Sequence, residues 1–178
     1  MTYRSNALGC LVATVLLAQA AAGQSASSTT VTVSGGWTSL TEQSSQLRDA
    51  GAHVQLGVSR QMQSLVSSRL RFDIGYHSIP PVADPRRGAP SSSVWIVTGS
   101  LVKNIGLMRR SQPYLVAGAG AISIDEGDGR VTHLDVAGGV GLVLPQISRI
   151  RPFVEARYHR VMQGRSRDFI PLSLGFTF

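Results

Sequence analysis

The sequence predicts an all-β fold, an eight-stranded antiparallel up-and-down transmembrane β-barrel with a filled polar interior. Three observations predict it. The last nine residues, Ile170-Pro171-Leu172-Ser173-Leu174-Gly175-Phe176-Thr177-Phe178, put Ile170, Leu172, Leu174, Phe176 and Phe178 on one face at period two. So continuous an apolar face needs lipid or a core to cover it. The chain also opens like an exported protein, with Arg4, an apolar run over 7–18 and a small-residue series over 19–24. Between these ends, eight segments bounded by turn formers are typically about ten residues long, which matches the ~9–11 of a tilted membrane strand and exceeds the ~5–6 of soluble sheets.

The opening segment reads as a signal peptide, with A-x-A sites ending at Ala20 and at Ala22. Its apolar run is shorter than the ~20 residues of a spanning helix. The expected organisation is a signal peptide over 1–22 and one barrel domain over 23–178. No later stretch approaches a helical span, so any membrane crossing must use a closed barrel. The only cysteine, Cys10, lies in the signal segment, which leaves the remainder without a thiol, a disulfide or a cysteine metal site.

The formal charge is +7, and +6 without Arg4; of 17 basic residues only Lys103 is lysine. The arginines are scattered singly, with no basic run or nucleic-acid motif, so no nucleic-acid partner is expected. Arginine pairs bidentately with phosphate, which makes the phosphorylated glycolipid of an outer leaflet the more natural anionic neighbour.

In chain order, the strands are expected near 30–38, 49–59, 66–77, 93–102, 113–124, 131–144, 151–162 and 169–178. An even number of antiparallel strands returns both chain ends to one side. The gaps alternate in character. The polar 39–48, the Pro-rich 78–92, the acidic Asp125-Glu126-Gly127-Asp128-Gly129 and the segment 163–168 would face out of the cell. The gaps 61–65, 103–112 and 145–150 would be periplasmic, with 103–112 long for a periplasmic turn.

The strand faces separate charge from apolar surface. The third strand sets Leu70, Phe72, Ile74 and Tyr76 against Arg69, Arg71, Asp73, Gly75 and His77. The seventh sets Val154, Ala156 and Tyr158 against Glu155, Arg157 and His159, and the sixth sets Leu134, Val136, Val140 and Leu142 against His133, Asp135, Gly139 and Gly141. An arginine at the lipid midplane costs ~2–4 kcal/mol, so in a membrane the charged faces point inward. Arg69, Arg71 and Arg157 balance Asp73, Asp135 and Glu155, which predicts a salt-bridged plug built chiefly from Arg71, Arg157, Glu155 and Asp135, with His159 beside it. In the fourth strand, Trp95, Val97 and Leu101 oppose Thr98 and Ser100, but Val94 and Ile96 share the inner phase. Small residues Gly118, Ala119, Gly120 and Ala121 in the fifth leave room for long arginines. Trp37, Tyr76, Trp95, Tyr114, Tyr158, Phe176 and Phe178 lie mostly toward strand ends, where interfacial girdles sit or ordinary packing places them.

With the signal peptide, the strand alternation and the terminal Gly175-Phe176-Thr177-Phe178, the chain resembles the small eight-stranded outer-membrane barrels of the OmpA/OmpX type, the Gram-negative outer membrane protein β-barrel domain family. The resemblance implies that Gly175, Phe176 and Phe178 form the signal read by the barrel-assembly machinery. It also implies a barrel domain alone, since the sequence ends at Phe178 without a peptidoglycan-binding domain. Some small barrels are lipid A deacylases with a His-x-Ser motif near a carboxylate. The corresponding stretch here is His159-Arg160-Val161, near Glu155, with valine where the serine is needed. His77-Ser78 places its side chains on opposite strand faces.

The acidic 125–129 segment lacks EF-hand spacing and reads as a tight turn, and His53, His77, His133 and His159 fall on separate strands without metal spacing. No metal, cofactor or catalytic site is therefore expected. The expected function is a monomeric, non-enzymatic integral outer-membrane protein with a structural or surface-interaction role. Arg86, Arg87, Arg165 and Arg167 in its outer loops are the candidates for contact with lipopolysaccharide or an extracellular partner. The alternatives are a narrow porin-like channel, a lipid A modifying enzyme, and a soluble barrel with its faces inverted around an apolar ligand. Eight strands enclose only enough space for side chains, which disfavours a wide pore.

Overall fold

The computed structural model describes residues 29–41, 48–62, 68–79, 92–106, 111–125, 129–162 and 168–178. Eight strands follow one another: β1 (Thr29–Thr41), β2 (Arg48–Gln61), β3 (Ser68–Ile79), β4 (Ser92–Asn104), β5 (Gln112–Asp125), β6 (Arg130–Val143), β7 (Arg151–Val161) and β8 (Asp168–Thr177). Each pairs antiparallel with the next, and β1 pairs with β8, so the sheet closes into an up-and-down barrel with no free edge. Phe178 and Val31 exchange backbone hydrogen bonds of 2.9 and 3.2 Å, which ties the start of β1 to the residue after β8 at one end of the barrel, here the terminal end. The opposite end is the loop end.

The strands run one to three residues past most of the expected limits. β4 continues to Asn104 and β5 begins at Gln112, which cuts the long fourth connection to residues 105–111. The expected signal peptide over 1–22 lies outside the described residues.

From Thr30 the ladder runs through Ser59, Arg71, Ser100, Gly118, Ala137, His159 and Phe169 and returns to β1 at Leu40, ten residues further along. That stagger tilts the strands by roughly 35–45° from the barrel axis. Side chains at one height therefore come from different ladder rungs on different strands. The lumen consequently fills in layers.

Alternation sorts the two faces as expected for an inside-out protein. On β7, Phe153, Glu155, Arg157, His159 and Val161 are buried while Val154, Tyr158 and Arg160 are exposed. Phe72, Leu134, Val140 and Leu174 are more than half exposed, whereas Arg157 is 2% and Asp135 1% exposed. The buried centre is polar and its ends are apolar. Val94, Ile96, Ile122, Ile124, Val161 and Phe169, with Leu40, close the loop end; Val102, Tyr114 and Val116, with Val143, pack toward the terminal end. Val94 and Ile96 thus do occupy the inner phase of β4.

Tyr114 takes the packing role of the two open to it. It is 2% exposed and lies inside the barrel, because Gly141 on β6 leaves the space for its ring. A Cβ at position 141 would fall 2.1 Å from Tyr114 Cζ. Gly141→Val is therefore expected to destabilise the refolded barrel by about 1–3 kcal/mol in urea unfolding. Gly138→Ala, whose new Cβ meets nothing within 4 Å, should leave the midpoint unchanged.

Candidate functional site: the layered lumen

The centre of the lumen is a ring of four charges. β3 and β7 lie four strands apart in a closed barrel of eight, and so face each other across it. Each carries an i, i+2 pair of opposite charges on its inner face, Arg71 with Asp73 and Glu155 with Arg157. Arg71 Nη2 donates to Glu155 Oε2 at 2.8 Å and to Oε1 at 3.0 Å, and Arg157 Nη2 donates to Asp73 Oδ2 at 2.8 Å. Arg157 Nε donates along its own strand to Glu155 Oε1 at 2.5 Å. Arg71 Nε completes the circuit as an ion contact 3.1 Å from Asp73 Oδ2, without hydrogen-bond alignment. The Tyr114 hydroxyl donates to Glu155 Oε2 at 2.6 Å. All four charged side chains are at most 6% exposed.

Asp135 does not join this ring. It sits nearer the loop end, where its Oδ2 lies 2.7 Å from His159 Nδ1 and its Oδ1 has no partner. Arg69 does not join it either. Two residues before Arg71 and next to the start of β3, Arg69 stands at the terminal mouth, where it lines a cavity of about 20 Å³ with Thr32, Ser59, Arg71, Tyr114 and Thr177. The expected three-against-three balance is thus a two-against-two ring, an aspartate paired to a histidine, and one arginine at the mouth.

Above the ring lies a histidine layer that the sequence reading missed. His53 and His77 are direct ladder partners, and their rings stack with centroids 4.9 Å apart. The Thr38 hydroxyl sits between them, 3.1 Å from His53 Nδ1 and 2.7 Å from His77 Nδ1, while His53 Nε2 lies 2.8 Å from Ser173 Oγ. With both histidines neutral, one hydroxyl proton serves one acceptor, so one ring presents Nδ1–H and the other a lone pair. Phe169 stacks on His159 at 4.7 Å and meets His77 edge-on at 5.6 Å, which joins the layer to the apolar closure above it. His133 takes no part in these contacts.

The two catalytic alternatives find different partners here. Glu155 is engaged by Arg71, Arg157 and Tyr114 and does not touch His159, and Val161 belongs to the apolar closure. His77 is buried while Ser78 is exposed, on opposite faces of β3. Among the described residues no group of three or more histidine, cysteine or acidic side chains could hold a metal ion. Arg86, Arg87, Arg165 and Arg167 lie outside the described residues. Gly175 is buried against Ser34 and Phe153, while Phe176 and Phe178 are exposed on the outer face.

Removing one member of a buried ion pair strands its partner, which costs about 3–5 kcal/mol. Arg71→Met should lower the unfolding free energy of the refolded barrel by that amount. Arg71→Met with Glu155→Met should lose much less than the sum of the single changes, because Asp73 and Arg157 still pair; a double-mutant cycle in urea measures the difference.

No protein-family model matches the chain, and no curated protein sequence matches it. Solved structures do resemble it. Neisserial surface protein A superposes with a TM-score of 0.65 at 14% identity, over 86% of this chain and 98% of that one. The N-terminal β-barrel domain of Pseudomonas aeruginosa OprF gives 0.54 at 12% identity, over 84% and 97%. Ail, the attachment invasion locus protein of Yersinia pestis, gives 0.51 at 13% identity, also over 84% and 97%. The chain has the fold of the small eight-stranded outer-membrane barrels.

Proposed function

We propose that the protein is an integral outer-membrane barrel with a sealed interior, non-enzymatic, whose role in the envelope is structural or exercised through its surfaces. One observation carries this reading: the barrel buries the charges of its mid-strand inner faces and exposes large apolar side chains around the whole circumference. Phe72 on β3, Val97 on β4, Leu134 on β6 and Leu172 on β8 are all at least 49% exposed. A soluble monomer seldom presents so wide an apolar surface, and a bilayer requires it. Tyr76 and Trp95 meet at 5.1 Å on adjacent strands toward the loop end, where a bilayer interface would lie.

The filled lumen favours a structural or surface role over a channel. The cavity at the terminal mouth is about 20 Å³ and a second, between the charge ring and the histidine layer, is about 10 Å³. Each has room for roughly one water. Surface contact through Arg86, Arg87, Arg165 and Arg167 with lipopolysaccharide or an extracellular partner, biogenesis through the barrel-assembly machinery and a monomeric state belong to this same proposal.

The protein unheated in SDS is expected to migrate differently from the boiled sample and to fractionate with the outer membrane; a soluble product without a shift would invert the reading. In planar bilayers the wild type should give no resolved conductance steps, and discrete steps would favour the narrow channel. Leu172→Arg, on the outer face near mid-barrel, should cost about 2–4 kcal/mol in a bilayer. An unchanged stability would place that face in water.

A further inference from the structure

Charge divides unevenly between the two ends of the barrel. In the strand tips and connections of the terminal end the sequence has Arg60, Arg69, Lys103, Arg149 and Arg151, with Arg109 and Arg110 outside the described residues, and no aspartate or glutamate. Elsewhere beyond Arg4, nine cations face all ten acids, so the entire excess of +6 lies at this end. Arg60 and Lys103 point outward in the phase of the exposed Val58 and Leu101. They stand at the terminal ends of their strands.

The connection between β6 and β7 adds a fixed element to this rim. Ile147 and Ile150 exchange backbone hydrogen bonds of 2.9 and 3.1 Å, and Ser148 takes φ +59°. The Gln146 side chain donates to Ser148 O at 2.6 Å and accepts from Arg151 Nε at 3.1 Å. The turn so pinned exposes Ile147, at 69%, beside the exposed Arg149. An apolar side chain next to a cation at the border of an apolar band matches the boundary between acyl chains and headgroups.

We infer that the terminal rim binds the headgroups of anionic phospholipids, with Arg60, Lys103 and Arg149 as the contacting cations. This rests on the outer-membrane reading and adds a lipid preference to it. Headgroups of net negative charge complement a cationic rim without acidic side chains, and the adjacent apolar side chains accept their acyl chains. A zwitterionic headgroup satisfies only the second requirement. The loop end, where cations and acids mix, lacks this one-sided field.

The test is native mass spectrometry of the refolded full chain in detergent micelles doped with equal phosphatidylglycerol and phosphatidylcholine. Phosphatidylglycerol adducts should exceed phosphatidylcholine adducts by about tenfold at low salt, with the excess shrinking as salt screens the rim. Arg60→Gln/Lys103→Gln/Arg149→Gln should abolish the preference while keeping the heat-dependent gel shift. Arg130→Gln/Arg160→Gln, at the loop end, should retain it. Should the triple variant fail to fold, Arg149→Gln alone, in the turn, must still lower the ratio. Equal adducts on a heat-shifting wild type would overturn the lipid preference and leave the membrane reading intact. So would selectivity that survives the triple variant, or wild-type sedimentation with peptidoglycan in place of a lipid preference. A wild type that is monodisperse without detergent and shows no shift would overturn both readings.

Discussion

The carboxylate of Glu155 and the guanidinium of Arg71 meet across the full width of the barrel, and the arrangement of the interior depends on how they come to be level. β3 and β7 are both odd-numbered strands, so they run in the same direction on opposite walls. Their charges occur in inverted order, Arg-x-Asp on one and Glu-x-Arg on the other. Laid side by side in the same direction, each charge therefore faces its opposite. The offset between partners is 84 residues for Arg71 with Glu155 and 84 again for Asp73 with Arg157. A shift of either strand by two residues would set like charges against each other. The ring thus selects one relative height for two strands that share no ladder, which pairwise hydrogen bonding between neighbours fixes only through four successive registers.

Such a ring is a specificity device more than a source of stability. Burying ions costs several kcal/mol each before pairing repays it, and apolar replacements are often as stable. What an apolar lumen lacks is directionality. The outer face of the barrel is already apolar, so an apolar inner face would leave the strands free to lie either way round. Charged side chains inside and apolar side chains outside remove that ambiguity at every strand that carries an inward ion. The apolar clusters toward each end flank the ring without blurring the distinction, since Val94, Ile122 and Val102 are buried inside the barrel and not on its outer face.

Much of this was legible from alternation alone, because period two in a strand is a local property. The faces of the third, sixth and seventh strands follow from their own residues, as do the inward charges. What alternation does not carry is height, which depends on the accumulated stagger of the closed sheet. That is why Arg69, Asp135 and Arg71 read as one plug and yet occupy three levels. The histidine pair was within reach: His53 and His77 are each twelve residues from position 65, the middle of their short connection. Hairpin symmetry alone makes them ladder partners. His159 joins them only through the ten-residue stagger, which no single hairpin reveals. Tyr114 stayed open between girdle and packing because a position near a strand end suits either, while its inward phase follows from pairing opposite Gly141.

A barrel of this size leaves its function little choice of location. Ten residues of stagger over eight strands set a narrow tube, and long side chains fill it only where the opposing wall is thin. Gly139 shows the accounting: a Cβ there would lie 2.9 Å from Arg157 Cα, so the wall beside the charge ring has no volume to spare. An interior so occupied leaves room for roughly one water in each of two small cavities, and rearranging it would separate ions from their partners. Interaction then falls to the two ends and the outer face, and the ends are chemically unlike. One mixes acids with arginines in long segments; the other holds only cations at the border of the apolar band. That polarity is written in the placement of ten carboxyl groups, none of which lies in the strand tips and short connections of the terminal end.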